Sequence, residues 1–88
     1  MSYVYIIQSE ATEQFYIGYT KDLDSRIADH QAGNSRWTSS RGPWRLKYFE
    51  AFDADTAARQ RELQLKRAKN KSYITWIITN GPGKRIAQ

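Results

Sequence analysis

Two predicted helices carry polar side chains where an apolar stripe should continue. On the first helix, Arg26 and His30 follow Leu23 by three and seven residues, so all three share one face. On the second helix, Glu62 follows Ala58 by four residues and lies at the edge of the apolar stripe. A single charged residue at such an edge usually extends to solvent or forms a structural ion pair. Three of them facing one predicted sheet suggest a shared chemical role.

Two tyrosines on neighbouring predicted strands, Tyr5 and Tyr16, add hydroxyl groups to this set. A carboxylate can hold a metal ion, an arginine can stabilise developing negative charge, and histidine or tyrosine can transfer protons. Together these residue types indicate phosphoryl-transfer chemistry. A structural alternative carries equal weight, because tyrosine is common on half-buried strands, where its hydroxyl needs only a hydrogen-bond partner.

Alternating β-branched and aromatic residues predict the strands that must position these groups. Residues 3–8 and 15–20 form a hairpin around the polar loop SEATEQ. A third strand is predicted over 44–52 and should place Trp44, Leu46 and Tyr48 on one face, since side chains alternate along a strand.

Gly18 interrupts the second of these strands. A glycine inside a strand usually marks a bulge or the close approach of another group to the backbone. We interpret it as room beside Tyr16 through which a phosphate or the first helix can approach.

Capping residues and helical spacing predict three helices. Asp22 can cap a helix from 23 to about 32, which ends at the stop signal Gly33. Asp53 or Asp55 can cap a longer helix that ends near 68, and Ser72 can cap a last one over 73–79. The order ββαβαα places the chain in the mixed α/β class, more narrowly α+β.

The composition fits one small domain. The 88 residues are too few for two domains, and 40% of them are hydrophobic. We predict one domain over 1–88, with a core over about 3–80 and a flexible tail over 81–88. The chain has no cysteine, and no apolar run approaches the roughly 18 residues that span a membrane. We therefore expect a cytoplasmic protein without membrane contact, and take a monomer as the default.

The net charge favours a nucleic-acid partner. Fourteen Lys and Arg against nine Asp and Glu give a formal charge of +5, and the basic residues concentrate after residue 36. A basic surface is typical of domains that bind the phosphates of nucleic acids. Many small basic domains bind no nucleic acid, so the charge alone gives roughly even odds.

The tyrosine strands and the residues after them resemble the paired motif of the GIY-YIG endonuclease superfamily, in which a G-I-Y strand precedes a Y-I-G strand. Tyr16-Ile17-Gly18 matches the second motif, whereas Tyr3-Val4-Tyr5 keeps the tyrosine of the first but has Tyr3 in place of its glycine. The match continues through Arg26, through Asp29-His30 and through Glu62. Over about 3–80, the chain is similar to the small stand-alone bacterial proteins of this superfamily.

The resemblance implies a three-stranded antiparallel sheet flanked by helices, and hydrolysis of a phosphodiester with one divalent metal ion. Mg²⁺ is the expected ion, with Mn²⁺ as an alternative, and no organic cofactor is implied. Glu62 would be the only protein ligand of the metal, and Arg26 would stabilise charge on the attacked phosphate. Tyr5 would act as the general base on water, while Tyr16 and His30 would position phosphate, water or the base. A free tyrosine has a pKa of about 10, so Tyr5 would need activation.

DNA is the expected substrate, with RNA as an alternative. The loop NSRWTSSRGPW offers Arg36, Trp37 and Arg41, which can stack an unpaired base and hold its phosphates, and Lys66 adds charge from the second helix. Packing of Trp37 against the sheet is about equally consistent with the sequence. The family often adds an asparagine near the last helix, for which Asn80 is the nearest candidate.

Three functions from different classes remain open on the sequence alone. The first is a metal-dependent endonuclease in nucleic-acid repair or processing, which the presence of Arg26 and Glu62 favours. The second is a nucleic-acid-binding module of the same fold with little or no cleavage, which Tyr3 leaves open. The third is a protein-interaction domain whose basic residues form only a solvated surface.

Overall fold

The computed structural model describes residues 1–33, 42–68 and 70–86. The order of the longer elements follows the predicted ββαβαα, and a short fourth strand comes after them. The elements are β1 (Ser2–Ser9), β2 (Phe15–Thr20), α1 (Leu23–Ala32), β3 (Trp44–Phe52), α2 (Asp55–Ala68), α3 (Lys71–Asn80) and β4 (Lys84–Arg85). The predicted α+β class is confirmed.

All strands pair antiparallel in the order β2-β1-β3-β4, so β1 lies inside the sheet with β2 and β3 on either side. The predicted count of three strands is one too few. Lys84 pairs with Phe49 and Arg85 with Tyr48, and the Ile86 N–H donates to the Lys47 carbonyl at 3.0 Å. Residues 84–86, which fall in the predicted flexible tail, are therefore paired with β3 in the structure.

The short strand β4 forms because glycines let the chain pass close to Tyr48. A Cβ at Gly81 or Gly83 would overlap the Tyr48 side chain or neighbouring backbone atoms. The Gly83 N–H donates to Tyr48 Oη at 2.8 Å, which ties the segment to β3. The lack of side chains at these two glycines permits this close contact.

A bulge in β3 changes which of its side chains share a face. Ile6 of β1 pairs with Tyr48, but Ile7 pairs with Leu46, so Lys47 is an extra residue between them. Trp44 and Leu46 therefore pack on one face of the sheet, and Tyr48 packs on the other. The prediction that Trp44 and Tyr48 share a face is wrong, because strict alternation does not hold across a bulge.

Helices cover both faces of the sheet, which gives the small domain two hydrophobic cores. The α2–α3 core lies under α2 and α3 and consists of Val4, Ile6, Tyr48, Ala58, Leu65, Ile74, Ile77 and Ile78. The α1 core lies under α1 and consists of Tyr5, Ile7 and Trp44, with partly buried Tyr16, Leu23, Ile27, Leu46 and Phe49 packed against it. No helix in the described ranges is long and apolar enough to cross a membrane.

The helix caps are set by short polar residues. Asp22 accepts the Ser25 N–H at 3.2 Å at the start of α1, and Gly33 ends that helix with φ 79°, a left-handed conformation that suits glycine. The cap of α3 is Asn70 rather than the predicted Ser72. Its Oδ1 accepts the N–H groups of Ser72 and Tyr73 at 2.9 and 3.3 Å, so the helix begins earlier than predicted.

Candidate active site

The Tyr5 side chain lies directly over the backbone of Gly18, its cross-strand partner. A Cβ on Gly18 would overlap Tyr5 Oη and Cζ and would stand only 2.8 Å from Cε1. The glycine therefore makes room for the Tyr5 ring, not for the space beside Tyr16 that the sequence suggested. The register of the two strands, which no local pattern contains, decides this.

The hydroxyl of Tyr5 forms a buried hydrogen bond with His30, with 2.8 Å between Oη and Nε2. His30 comes from the last turn of α1 and is only 2% exposed. The Tyr16 ring stands edge-on to His30 with their ring centroids 5.1 Å apart, and the Tyr5 ring centroid lies 5.6 Å from that of His30. Three rings from β1, β2 and α1 thus form one cluster.

Burial controls the protonation of this cluster. It raises the pKa of Tyr5 to about 12, although the hydrogen bond to Arg26 acts in the opposite direction. Burial also lowers the pKa of His30, and the positive charge of Arg26 lowers it further. At neutral pH, Tyr5 is accordingly a phenol and His30 a neutral imidazole.

Arg26 brings a permanent positive charge to the same cluster. Its side chain hydrogen-bonds the Tyr5 hydroxyl, and that bond is the largest of the effects that raise the pKa of Arg26. Tyr16 contributes a further hydrogen bond to the guanidinium. Arg26 and His30 are one turn apart on α1, which explains how one helix delivers both groups to the two tyrosines.

Glu62 differs from the other four predicted site residues because α2 packs on the opposite face of the sheet from Tyr5. Its negative charge is the smallest of the effects that raise the pKa of Tyr5, so it acts from a distance. The carboxylate forms an ion pair with Lys66, with 2.9 Å between Oε2 and Nζ, and its side chain is 21% exposed.

The donor set fits a metal ion that is held mainly by water and substrate. Within the described ranges, no three His, Cys, Asp or Glu side chains converge on a point that could hold a metal. Mg²⁺ commonly binds through one or two carboxylates together with waters and substrate phosphates. Glu62 can supply the carboxylate, so the residues present are compatible with magnesium.

The remaining predicted residues are those proposed to bind nucleic acid, together with Asn80. Arg36, Trp37 and Arg41 lie outside the described residues. Lys66 forms the ion pair with Glu62. Asn80, at the end of α3, donates from Nδ2 to the Trp76 carbonyl of its own helix at 3.2 Å and is exposed to solvent.

A second buried polar network, which joins Glu50, Arg61 and Tyr48, was not predicted from the sequence. Glu50 accepts from Arg61 Nε at 2.8 Å and from Nη2 at 3.0 Å, and Tyr48 Oη donates to the same carboxylate. Burial and this hydrogen bond raise the pKa of Tyr48 to about 12. The signal for it was a lone glutamate, Glu50, two residues after Tyr48 on a predicted core strand.

Comparisons with known proteins agree on one family. Residues 1–75 match the model described as the GIY-YIG catalytic domain. The chain is 41% identical over 76 residues to a UPF0213 protein of Natronomonas pharaonis, a match that covers 82% of this chain and 88% of that protein. It is 36% identical over 86 residues to a UPF0213 protein of Streptococcus pyogenes serotype M5, covering 96% and 92% of the two chains.

A solved structure is also similar. The solution NMR structure of a UPF0213 protein from Bacillus halodurans superimposes with a TM-score of 0.58 and 32% sequence identity. The match covers 93% of this chain and 88% of that one. The similarity therefore extends over nearly the whole chain in sequence and in fold.

Proposed function

Because the chain belongs to the GIY-YIG catalytic domain family, within its small UPF0213 group, we propose that it is a metal-dependent endonuclease that hydrolyses phosphodiester bonds in DNA. The observation that carries the proposal is the buried hydrogen bond between Tyr5 and His30 beside the Arg26 guanidinium. It combines a proton acceptor and a fixed positive charge, the two groups that attack by water on a phosphate requires.

Arg26 would bind the phosphate that is attacked. A guanidinium presents several N–H donors in a planar fork that matches phosphate oxygens, and its charge opposes the negative charge that builds up in the transition state. Tyr5 and Tyr16 hydrogen-bond the Arg26 side chain, so its guanidinium is already oriented when the substrate binds.

Tyr5 and His30 would act together as the proton acceptor. The raised pKa of Tyr5 keeps its hydroxyl protonated at neutral pH, so it can take a proton from water only if it gives up its own. His30 is neutral, and Nε2 can accept that proton when Nδ1 carries the ring hydrogen.

The proton movements balance the bond changes. As the water oxygen bonds to phosphorus and the ester bond breaks, one water proton passes to Tyr5 Oη and the Tyr5 proton passes to His30 Nε2. The departing oxygen takes a proton from solvent. Tyr16, edge-on to His30, would hold the imidazole in the orientation that this transfer needs.

Glu62 would hold a divalent cation, most simply Mg²⁺, together with water and phosphate oxygens. Such an ion supplies positive charge to phosphate oxygens during phosphoryl transfer. Lys66 competes with the ion for Glu62, because its Nζ lies 2.9 Å from Oε2.

The decisive experiment measures cleavage of single-stranded, duplex and branched DNA, and of RNA, with Mg²⁺ or Mn²⁺. Arg26→Ala and Glu62→Gln should each lower the rate by about 100-fold or more, because the first removes the positive charge beside the phosphate and the second removes the carboxylate that would hold the metal. Arg67→Ala removes an equal charge from the exposed end of α2 and serves as the control.

Cleavage that survives both Arg26→Ala and Glu62→Gln would come from a contaminant and remove the proposal. Binding that falls steeply with salt, without cleavage under any metal, would favour the nucleic-acid-binding module instead. No binding and no cleavage would favour the protein-interaction domain.

A further inference from the structure

A groove runs between the β1–β2 hairpin and the junction of α2 with α3, away from the Tyr5 cluster. Its volume is about 480 Å³, within the size range of pockets for small organic ligands. Buried Leu65 and Ile74 line it, together with Phe15 and Ile17, whose side chains are partly exposed. The lining offers mainly apolar surface and one aromatic ring, which suits a flat organic group better than an ion.

Two lysines on the rim give the groove a preference for anionic ligands. Lys66 and Lys71 line it together with one acidic residue, Glu13. Each lysine forms an ion pair on the protein surface. Lys66 pairs with Glu62, and Lys71 pairs with Glu13 with 3.6 Å between Nζ and Oε1. Both lysine side chains are about half exposed or more, at 47% and 61%. Ion pairs of this kind are weak, so a phosphate can replace the carboxylates as their partner.

The position of Lys66 connects the groove with the proposed metal ligand. Lys66 follows Glu62 by one helical turn, or about 6 Å along the axis of α2. A phosphate that reaches Lys66 is thus at the rim of the groove and next to the carboxylate that would hold the metal. The same movement of Lys66 leaves Glu62 free.

We propose that this groove takes a nucleobase that is turned out of the nucleic-acid strand beside the phosphate to be cut. The base stacks on Phe15 above Leu65 and Ile74, and the adjoining phosphates contact Lys66 and Lys71. The proposal rests on the proposed endonuclease function and names the part of the substrate that the groove binds. A base has the flat apolar faces that the walls require, and its phosphates supply the negative charge that the rim requires.

The test measures binding of the full chain to a single-stranded oligonucleotide that carries the fluorescent base 2-aminopurine, with EDTA present so that nothing is cut. Phe15→Leu keeps the groove apolar but removes the stacking ring, and should weaken binding by about fivefold or more. Trp76→Leu removes an aromatic ring that is 55% exposed on α3 outside the groove and should leave the affinity unchanged.

Two further variants change exposed lysine side chains and leave the apolar walls of the groove intact. Lys66→Met and Lys71→Met should each weaken binding and reduce the slope of log affinity against log salt by about 0.7, the value for one phosphate contact on a single strand. A fully paired duplex of the same sequence should bind more weakly than the single strand, since its bases are not free to enter the groove.

Equal affinity of Phe15→Leu and the wild type, or equal effects of Phe15→Leu and Trp76→Leu, would overturn the proposal. So would a dimer in sedimentation that Phe15→Leu dissociates, because the groove would then hold a second copy. If Phe15→Leu binds normally while Arg26→Ala loses metal-dependent cleavage, only the groove proposal fails. If binding depends on Phe15 but the wild type cuts no nucleic acid, only the endonuclease proposal fails.

Discussion

The carboxylate of Glu50 is held by Nε and Nη2 of Arg61, the residue that immediately precedes Glu62 in α2. Glu50 is only 5% exposed, and Tyr48 donates a further hydrogen bond to it. The contact ties α2 to β3 on one side, while Arg59 of the same helix stacks over the Tyr19 ring of β2 on the other. These two contacts define the rotation of α2 and with it the direction of Glu62.

Glu50→Gln should lower the free energy of unfolding by about 3 kcal/mol or more, because it leaves the Arg61 charge buried without its counterion. Urea denaturation measures the effect. The control is Glu10→Gln in the exposed pair with Arg45, which should cost less than about 1 kcal/mol. Equal losses in the two variants would contradict the structural role assigned to the buried pair.

Gly18→Ala should destabilise the protein by about 1–3 kcal/mol, because the added methyl group collides with the Tyr5 ring. The same substitution in a Tyr5→Ala background should cost clearly less, and this double-mutant cycle isolates the contact. Gly42→Ala is the comparison with a milder contact, since its Cβ would lie 3.3 Å from Trp44 Cδ1 and a shift of a few tenths of an ångström relieves it. Additive effects of Gly18→Ala and Tyr5→Ala would disprove the clash.

The stability of the protein should depend on pH through His30. Burial and the nearby Arg26 hold the folded-state pKa of His30 below its usual 6.5, whereas Asp29 acts weakly in the other direction. The unfolded state then binds more protons, so stability is full above pH 6.5 and decreases as the pH falls toward the folded-state pKa.

His30→Gln keeps an amide near the Tyr5 hydroxyl and removes the titrating group. The unfolding free energy of this variant should therefore change less between pH 6.5 and 5 than that of the wild type. Denaturation series at several pH values for both proteins provide the comparison. In the proposed mechanism, the cleavage rate of the wild type should fall in the same window, because protonated His30 cannot accept the Tyr5 proton. Identical pH profiles for the two proteins would refute the linkage.

Lys66→Met should raise the affinity for Mn²⁺ about twofold or more in the absence of nucleic acid, because it removes the cation that competes for Glu62. Electron paramagnetic resonance of Mn²⁺ measures the free ion directly. Glu62→Gln should abolish the same binding, and Lys71→Met, which acts on a different ion pair, should leave it unchanged. Weaker Mn²⁺ binding by Lys66→Met would show that Glu62 is not the ligand.

Much of the fold could be predicted because its signals are local. The alternation of Tyr16, Gly18 and their neighbours predicted β2 with both ends correct, and the pair of Asp22 and Gly33 predicted α1. The placement of Arg26 and His30 on one helical face also follows from spacing alone, since residues three and four apart are neighbours on a helix.

The structure alone decided how these elements meet. Sequence spacing could not reveal the bulge at Lys47, which places Tyr48 and Trp44 on opposite faces of the sheet. It also could not reveal the short strand β4, which follows the hydrogen bond between Gly83 and Tyr48. Nor could it reveal that Tyr5 occupies the space over Gly18. Cross-strand register and burial arise from contacts between residues that are far apart in the chain, and the pKa values of Tyr5 and His30 follow from that burial. The sequence alone determined the residue types and the helix and strand faces that carry them, and the packed fold decided which of them touch.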